Sequence, residues 1–173
     1  MPAEPEIGLD EARGRVRMDV AGAAIVAGVE RFGAVWVVGA VTRVVDAWGR
    51  LAAEARAEVI AQAAAAGQAA AARVAGELRE LFASDPAEQR STPLAIVRSL
   101  RREATAVLAA AGIPEVERDA HAARIFPDDV YGIVLESLAE LGEDDLGPML
   151  LVWGLGKTQT LRARAARPSS SES

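Results

Sequence analysis

The chain has no cysteine and no asparagine, and it holds one lysine, one histidine and one tyrosine in 173 residues. Without cysteine there is no disulfide, no thiolate metal site and no thiol nucleophile. This leaves the compartment open, and the cytoplasm is the default expectation. A single imidazole leaves little to build a metal site, so neither a metal nor another cofactor is expected. Aromatic residues are only 4%, which leaves few large side chains to shape a deep pocket. Acidic residues outnumber basic ones by 25 to 19, for a net charge of −6. That balance argues against nucleic-acid binding over the whole surface. Proline is missing between Asp10 and Leu81, so nothing there forbids a long helix.

Alanine supplies about a fifth of the chain, and hydrophobic residues make up 51%. Residues 20–42, "VAGAAIVAGVERFGAVWVVGAVT", are apolar on every side, as in a helix buried in a bundle. They are long enough to span a bilayer, but Glu30 and Arg31 lie at the centre, each costing about 2.5–3.5 kcal/mol there. An integral membrane span is therefore disfavoured. The acidic start "MPAEPEIGLDEARGR" also lacks the basic and apolar regions of a secretory signal. Further on, Val45, Trp48, Ala52, Ala55, Val59, Ala63, Ala66, Ala70, Val74, Leu78 and Leu81 recur at three and four, a helical seam. One very long helix or two in line is expected, reaching about 100 Å if uninterrupted, with Gly33, Gly39, Gly49 or Gly67 as breaks. So long a seam needs cover, and a homo-oligomeric bundle follows as the expectation. Glu30 and Arg31 have no opposite charge three or four positions away. With Trp36 and Trp48 they are the candidate register-setting residues of that assembly.

A polar stretch with two prolines, "ASDPAEQRSTP", follows. The expected division is a self-associating arm over 1–83, a linker over 84–92, a compact helical module over 93–166 and a tail over 167–173. In the module Thr92 and Pro93 open a helix that Gly112 and Pro114 close. A short helix is expected over 115–124 and another from Pro127 to about Leu141, with Asp128 and Asp129 at its positive end. A last helix holds Met149, Trp153 and Leu161.

Three motifs invite chemistry. "GLGKT" at 154–158 ends like a phosphate-binding loop, but the leading glycine would fall on Leu151 and no sheet is available to carry it. "RDAHAARIFPDDVYG" at 118–132 gathers His121, Phe126, Asp128, Asp129 and Tyr131. His121 with Asp119 or Asp128 would make a general base. The alternative is a recognition patch built on a helix cap. "GEDD" at 142–145 is a weak cation candidate without the ligand series of a calcium loop.

Residues 92–157, through "TPLAIVRSLRREATAVLAAAGIP", "FPDDVYG" and "WGLGK", resemble a group of small uncharacterised helical proteins of actinobacterial type. The chain departs from that group's W-G-A-A-K pattern at Gly154-Leu155-Gly156-Lys157. The resemblance implies helices and supplies no catalytic residue.

The expectation is an all-α, non-catalytic adaptor or scaffold. It would self-associate through its N-terminal arm and bind a protein partner through Phe126, Asp128, Asp129, Tyr131 and His121. The alternatives are an amphipathic coat on a lipid or polymer surface and an enzyme using His121 with a neighbouring aspartate.

Overall fold

The computed structural model describes residues 7–142 and 146–167. The protein is all-α: α1 (Leu9–Trp48), α2 (Ala53–Ala83), α3 (Pro93–Val97), α4 (Ser99–Ala110), α5 (Ala120–Ile125), a 3-10 turn (Leu138–Leu141) and α6 (Leu146–Ala165). Among the described residues there is no strand.

The two long helices do not run in line. Gly49 takes the left-handed conformation at φ 64°, and its N–H donates to Val45 O at 2.9 Å, closing α1. Only glycine adopts that backbone without strain. Arg56 clamps Asp46 across the turn through two bonds of 2.8 and 3.1 Å. α2 then folds back along α1, with Ala71 against Gly33, Gly67 against Ala34 and Phe82 against Gly22. Val59, Ala63, Ala70, Val74, Leu78 and Leu81 of the expected seam are buried in this hairpin. The chain covers these six residues itself. The small residues act here by letting two helix backbones approach.

α6 returns antiparallel along the other flank of α1. Here the contact is backbone to backbone. A Cβ on Gly156 would stand 2.7 Å from Gly14 O, and one on Gly14 would stand 2.8 Å from Gly156 O. Thr160 is fully buried beside them, its hydroxyl donating to Gly156 O at 2.9 Å.

Thr92 caps α3 as its sequence foretells, its Oγ1 accepting from Ala95 N at 3.2 Å. Gly112, at φ 72°, ends the run after α4. The expected helix from Pro127 to Leu141 does not form. Asp129 caps no helix. Its carboxylate accepts from Ile133 N at 2.8 Å, and Gly132 stands at φ 68°. Residues 131–136 carry no helix, and their burial alternates, with Tyr131, Ile133 and Leu135 buried and Gly132, Val134 and Glu136 exposed. That is the period of two of a half-buried strand. Arg98 Nε fixes this segment by donating to Leu135 O at 3.2 Å. The short helix expected at 115–124 is also shifted. Residues 114–119 carry no helix, and α5 starts at Ala120 after Asp119 accepts from Ala122 N at 2.7 Å.

One hydrophobic core joins α1, α2, α4, residues 131–135 and the start of α6. Residues 84–92 form a loop across which this core continues, so the expected arm and module are not separately packed. The "GEDD" motif, apart from Gly142, and the tail from 168 onward lie outside the described residues.

Candidate interaction surface

Lys157 and Thr158 lie in the interior of α6, where the main-chain N–H groups serve the helix. The Lys157 ammonium stacks 5.2 Å from the Trp153 ring centroid, and Thr158 Oγ1 donates to Gly154 O at 3.0 Å. A phosphate cradle needs a loop of free N–H groups, and this backbone provides none there.

The stretch around His121 forms a lobe. Val116 N donates to Val130 O at 2.9 Å, and Arg118 Nη1 donates to Phe126 O at 2.7 Å. These two bonds close residues 117–129 into a projection that carries α5. No residue of α5 is buried. The lobe nevertheless holds two large apolar side chains in solvent, Ile125 at 49% and Phe126 at 52% exposure. His121 is exposed, with its Nδ1 3.4 Å from Arg124 Nη2. Asp119 caps α5, and among the described residues no hydrogen bond joins His121 to Asp119 or Asp128. Asp128 is exposed at the tip, whereas Asp129 is held by Ile133 N. Tyr131 turns inward. It is 5% exposed, and its hydroxyl donates to Ile113 O at 2.8 Å. Burial first, and then Glu115, push its phenol above the ordinary value. Of the five expected recognition residues, Phe126, Asp128 and His121 share the lobe surface, and Asp129 and Tyr131 are structural.

The residues on either side of the lobe in sequence, Val116 and Tyr131, line a groove of about 550 Å³. Val44 and Trp48 at the end of α1 form one wall. Val116 and Ile133 face them, and Tyr131 is buried in the lining. Arg43 and Glu115, both exposed, place opposite charges on the lining. The groove brings together Trp48 and Tyr131, which the sequence suggested for two separate roles.

The other register candidates act within the chain. Glu30 is exposed and accepts a bond from Arg79 of α2, so it ties the hairpin. Arg31 is exposed, with its guanidinium 5.0 Å from the Phe32 ring centroid. Trp36 is buried in the chain's own core. Within α1, the longest and most apolar described helix, half of the most apolar stretch is buried inside the fold.

Sequence reasoning missed a polar cluster at the opposite end. Glu11, 2% exposed, accepts from Arg164 Nε at 2.8 Å, from Arg15 Nη2 at 3.3 Å and from Arg167. Arg164 also donates to Asp85 at 2.8 Å, stapling α1, α6 and the loop after α2. The bond from Arg164 lowers the Glu11 carboxyl below its usual range. The same guanidinium, with Ala87 N, lowers Asp85 to about 2. The two carboxylates hold Arg164 above its ordinary value. Among the described residues no three His, Cys, Asp or Glu side chains gather as metal ligands.

Comparison of the chain with family models, curated proteins and solved structures finds no match to any of them.

Proposed function

We propose that the protein is a non-catalytic helical scaffold that binds an apolar segment of another polypeptide at the lobe and the groove lined by its flanking residues. The exposure of Ile125 and Phe126 on a projection that buries nothing of its own helix carries this reading. Ordering two large apolar side chains in water has a cost that a partner offsets, and such patches mark interaction sites. The groove supports the choice of guest. Val44, Trp48, Val116 and Ile133 give it an apolar lining. Apolar side chains of a bound segment can enter this channel.

His121 meets Arg124 and no aspartate, which favours a scaffold over an enzyme. The hairpin supplies the cover for which a second copy was expected, so the proposal needs no oligomer.

The test is selection of peptides from a randomised display library. Peptides rich in apolar residues are expected, and they should lose binding to the Ile125→Ser/Phe126→Ser double variant and to Val44→Glu. Retention by both variants, with loss on Leu151→Ser/Leu155→Ser, would move the partner surface to the exposed apolar residues of α6.

A further inference from the structure

The outer faces of α1 and α6 leave large apolar side chains in water. Leu9, Val16 and Val20 of α1 and Leu151 and Leu155 of α6 are each more than half exposed. On α1 the spacings of seven and four place Leu9, Val16 and Val20 in one stripe. Arg13 stands within that stripe, and Arg17 lies one turn before Val20. On α6 the spacing of four puts Leu151 and Leu155 on one face. The contact of Gly14 with Gly156 draws the two helices together. Arg17, Leu155 and Arg162 line one cleft along the seam between them, so the two faces adjoin.

The charge on this surface is one-sided. α6 carries no acid between Leu146 and Ala165. Of the acids in α1, Glu11 is buried and Asp46 is bonded to Arg56 at the far turn. Glu30 is bonded to Arg79, and Asp19 lines a hollow with Glu30 and Phe82 on the α2 side. Asp10 is the one acid on the cleft, 3.8 Å from Arg13. Arg13, Arg17 and Arg162 are all exposed. Arg17 donates to a neutral amide, Gln159 Oε1, at 2.8 Å. A chain of net charge −6 thus keeps one surface on which arginines prevail among aliphatic side chains.

We infer that the α1–α6 face lies on an anionic phospholipid bilayer. Its aliphatic side chains enter the acyl boundary while the guanidinium groups stay at the phosphates. The excess positive charge supplies the attraction to anionic headgroups. A protein interface concentrates its energy in aromatic anchors seated in pockets, whereas the exposed apolar residues here are aliphatic and stand on two convex helices. α1 keeps its other sides in the core, so the attachment is peripheral.

The full chain is sedimented with sucrose-loaded vesicles of phosphatidylcholine alone and of an equal mixture with phosphatidylglycerol. Binding is expected to the mixture, little to phosphatidylcholine, with release as salt rises. Leu151→Ser/Leu155→Ser and Arg13→Glu/Arg17→Glu change exposed positions, so each should keep its circular dichroism and weaken partitioning about tenfold or more. Arg50→Glu/Arg102→Glu makes the same change in net charge at exposed positions elsewhere and should bind as the parent does. No binding to the mixed vesicles overturns the inference. So does equal loss in the Arg50/Arg102 pair, or binding indifferent to both variants of the face. Binding of soluble polyglutamate without binding of vesicles would overturn it in favour of an acidic polypeptide.

Discussion

Two glycines on one turn of α6 give opposite forecasts. Gly154 and Gly156 are both helical, and replacing either with alanine removes an intrinsic cost of about 1 kcal/mol. At Gly154 a Cβ would meet nothing within 4 Å, so the gain is kept. Gly154→Ala should stabilise by about 0.5–1 kcal/mol, a rise of roughly 1–4 °C for a chain of this size. At Gly156 the same Cβ would stand 2.7 Å from Gly14 O and 3.0 Å from Arg17 Cβ and Met18 Cγ. The nearest of these is backbone, so it cannot swing aside, and α6 must move off α1. Overpacking of this kind costs about 1–3 kcal/mol or more, and a rigid neighbour places it at the upper end. Subtracting the helix gain leaves about 1–2 kcal/mol of destabilisation, a fall of roughly 2–8 °C. Differential scanning calorimetry of the two variants side by side checks this. Equal rises in melting temperature for both would refute the close pairing of α1 with α6.

Gly49→Ala separates the hairpin from a continuous helix. In a continuous helix it would stabilise, whereas at φ 64° it should destabilise by about 1 kcal/mol, read from the urea midpoint. The acid limb of stability should report Asp85 and Glu11. Their carboxyls are lowered in the folded state, Asp85 from 3.8 to about 2, so this contribution is whole above their unfolded values. It is lost as pH falls from about 4 towards 2, and Arg164→Leu should flatten that part of a urea-midpoint-against-pH curve. Lys157→Ala should cost about 0.5–1 kcal/mol through its contact with Trp153, and equilibrium dialysis should show no ATP binding in either form.

Where side chains repeat at three and four, the sequence carried its structure. Val59, Ala63, Ala70, Val74, Leu78 and Leu81 of the seam are buried, Thr92 caps, and Gly112 terminates. The same periodicity says nothing about direction. Gly49 was one of four glycines able to break the run, and only its φ separates a hairpin from a rod. The alternating burial of residues 131–136 was present as a period of two in "YGIVLE", but Pro127 followed by two acids mimics a helix start. The Asp129 carboxylate was free to serve a main-chain N–H in a loop instead, as short acidic side chains do. The lobe could be seen as a chemistry-rich stretch but not as a projection, because the bonds that close it are one main-chain pair and one arginine to a carbonyl. The Glu11–Arg164 staple spans almost the whole chain, and nothing local marks either partner.

Site-specific photo-crosslinking tests the proposed function most directly. A photoreactive residue is placed at position 126 on the lobe, at 48 in the groove and at 155 on the exposed face of α6, in cells that express the chain. The scaffold reading predicts adducts with a second polypeptide at 126 and 48 that disappear when Val44→Glu blocks the groove, and none at 155. Adducts at 155 alone, or adducts at 126 and 48 indifferent to Val44→Glu, would contradict it.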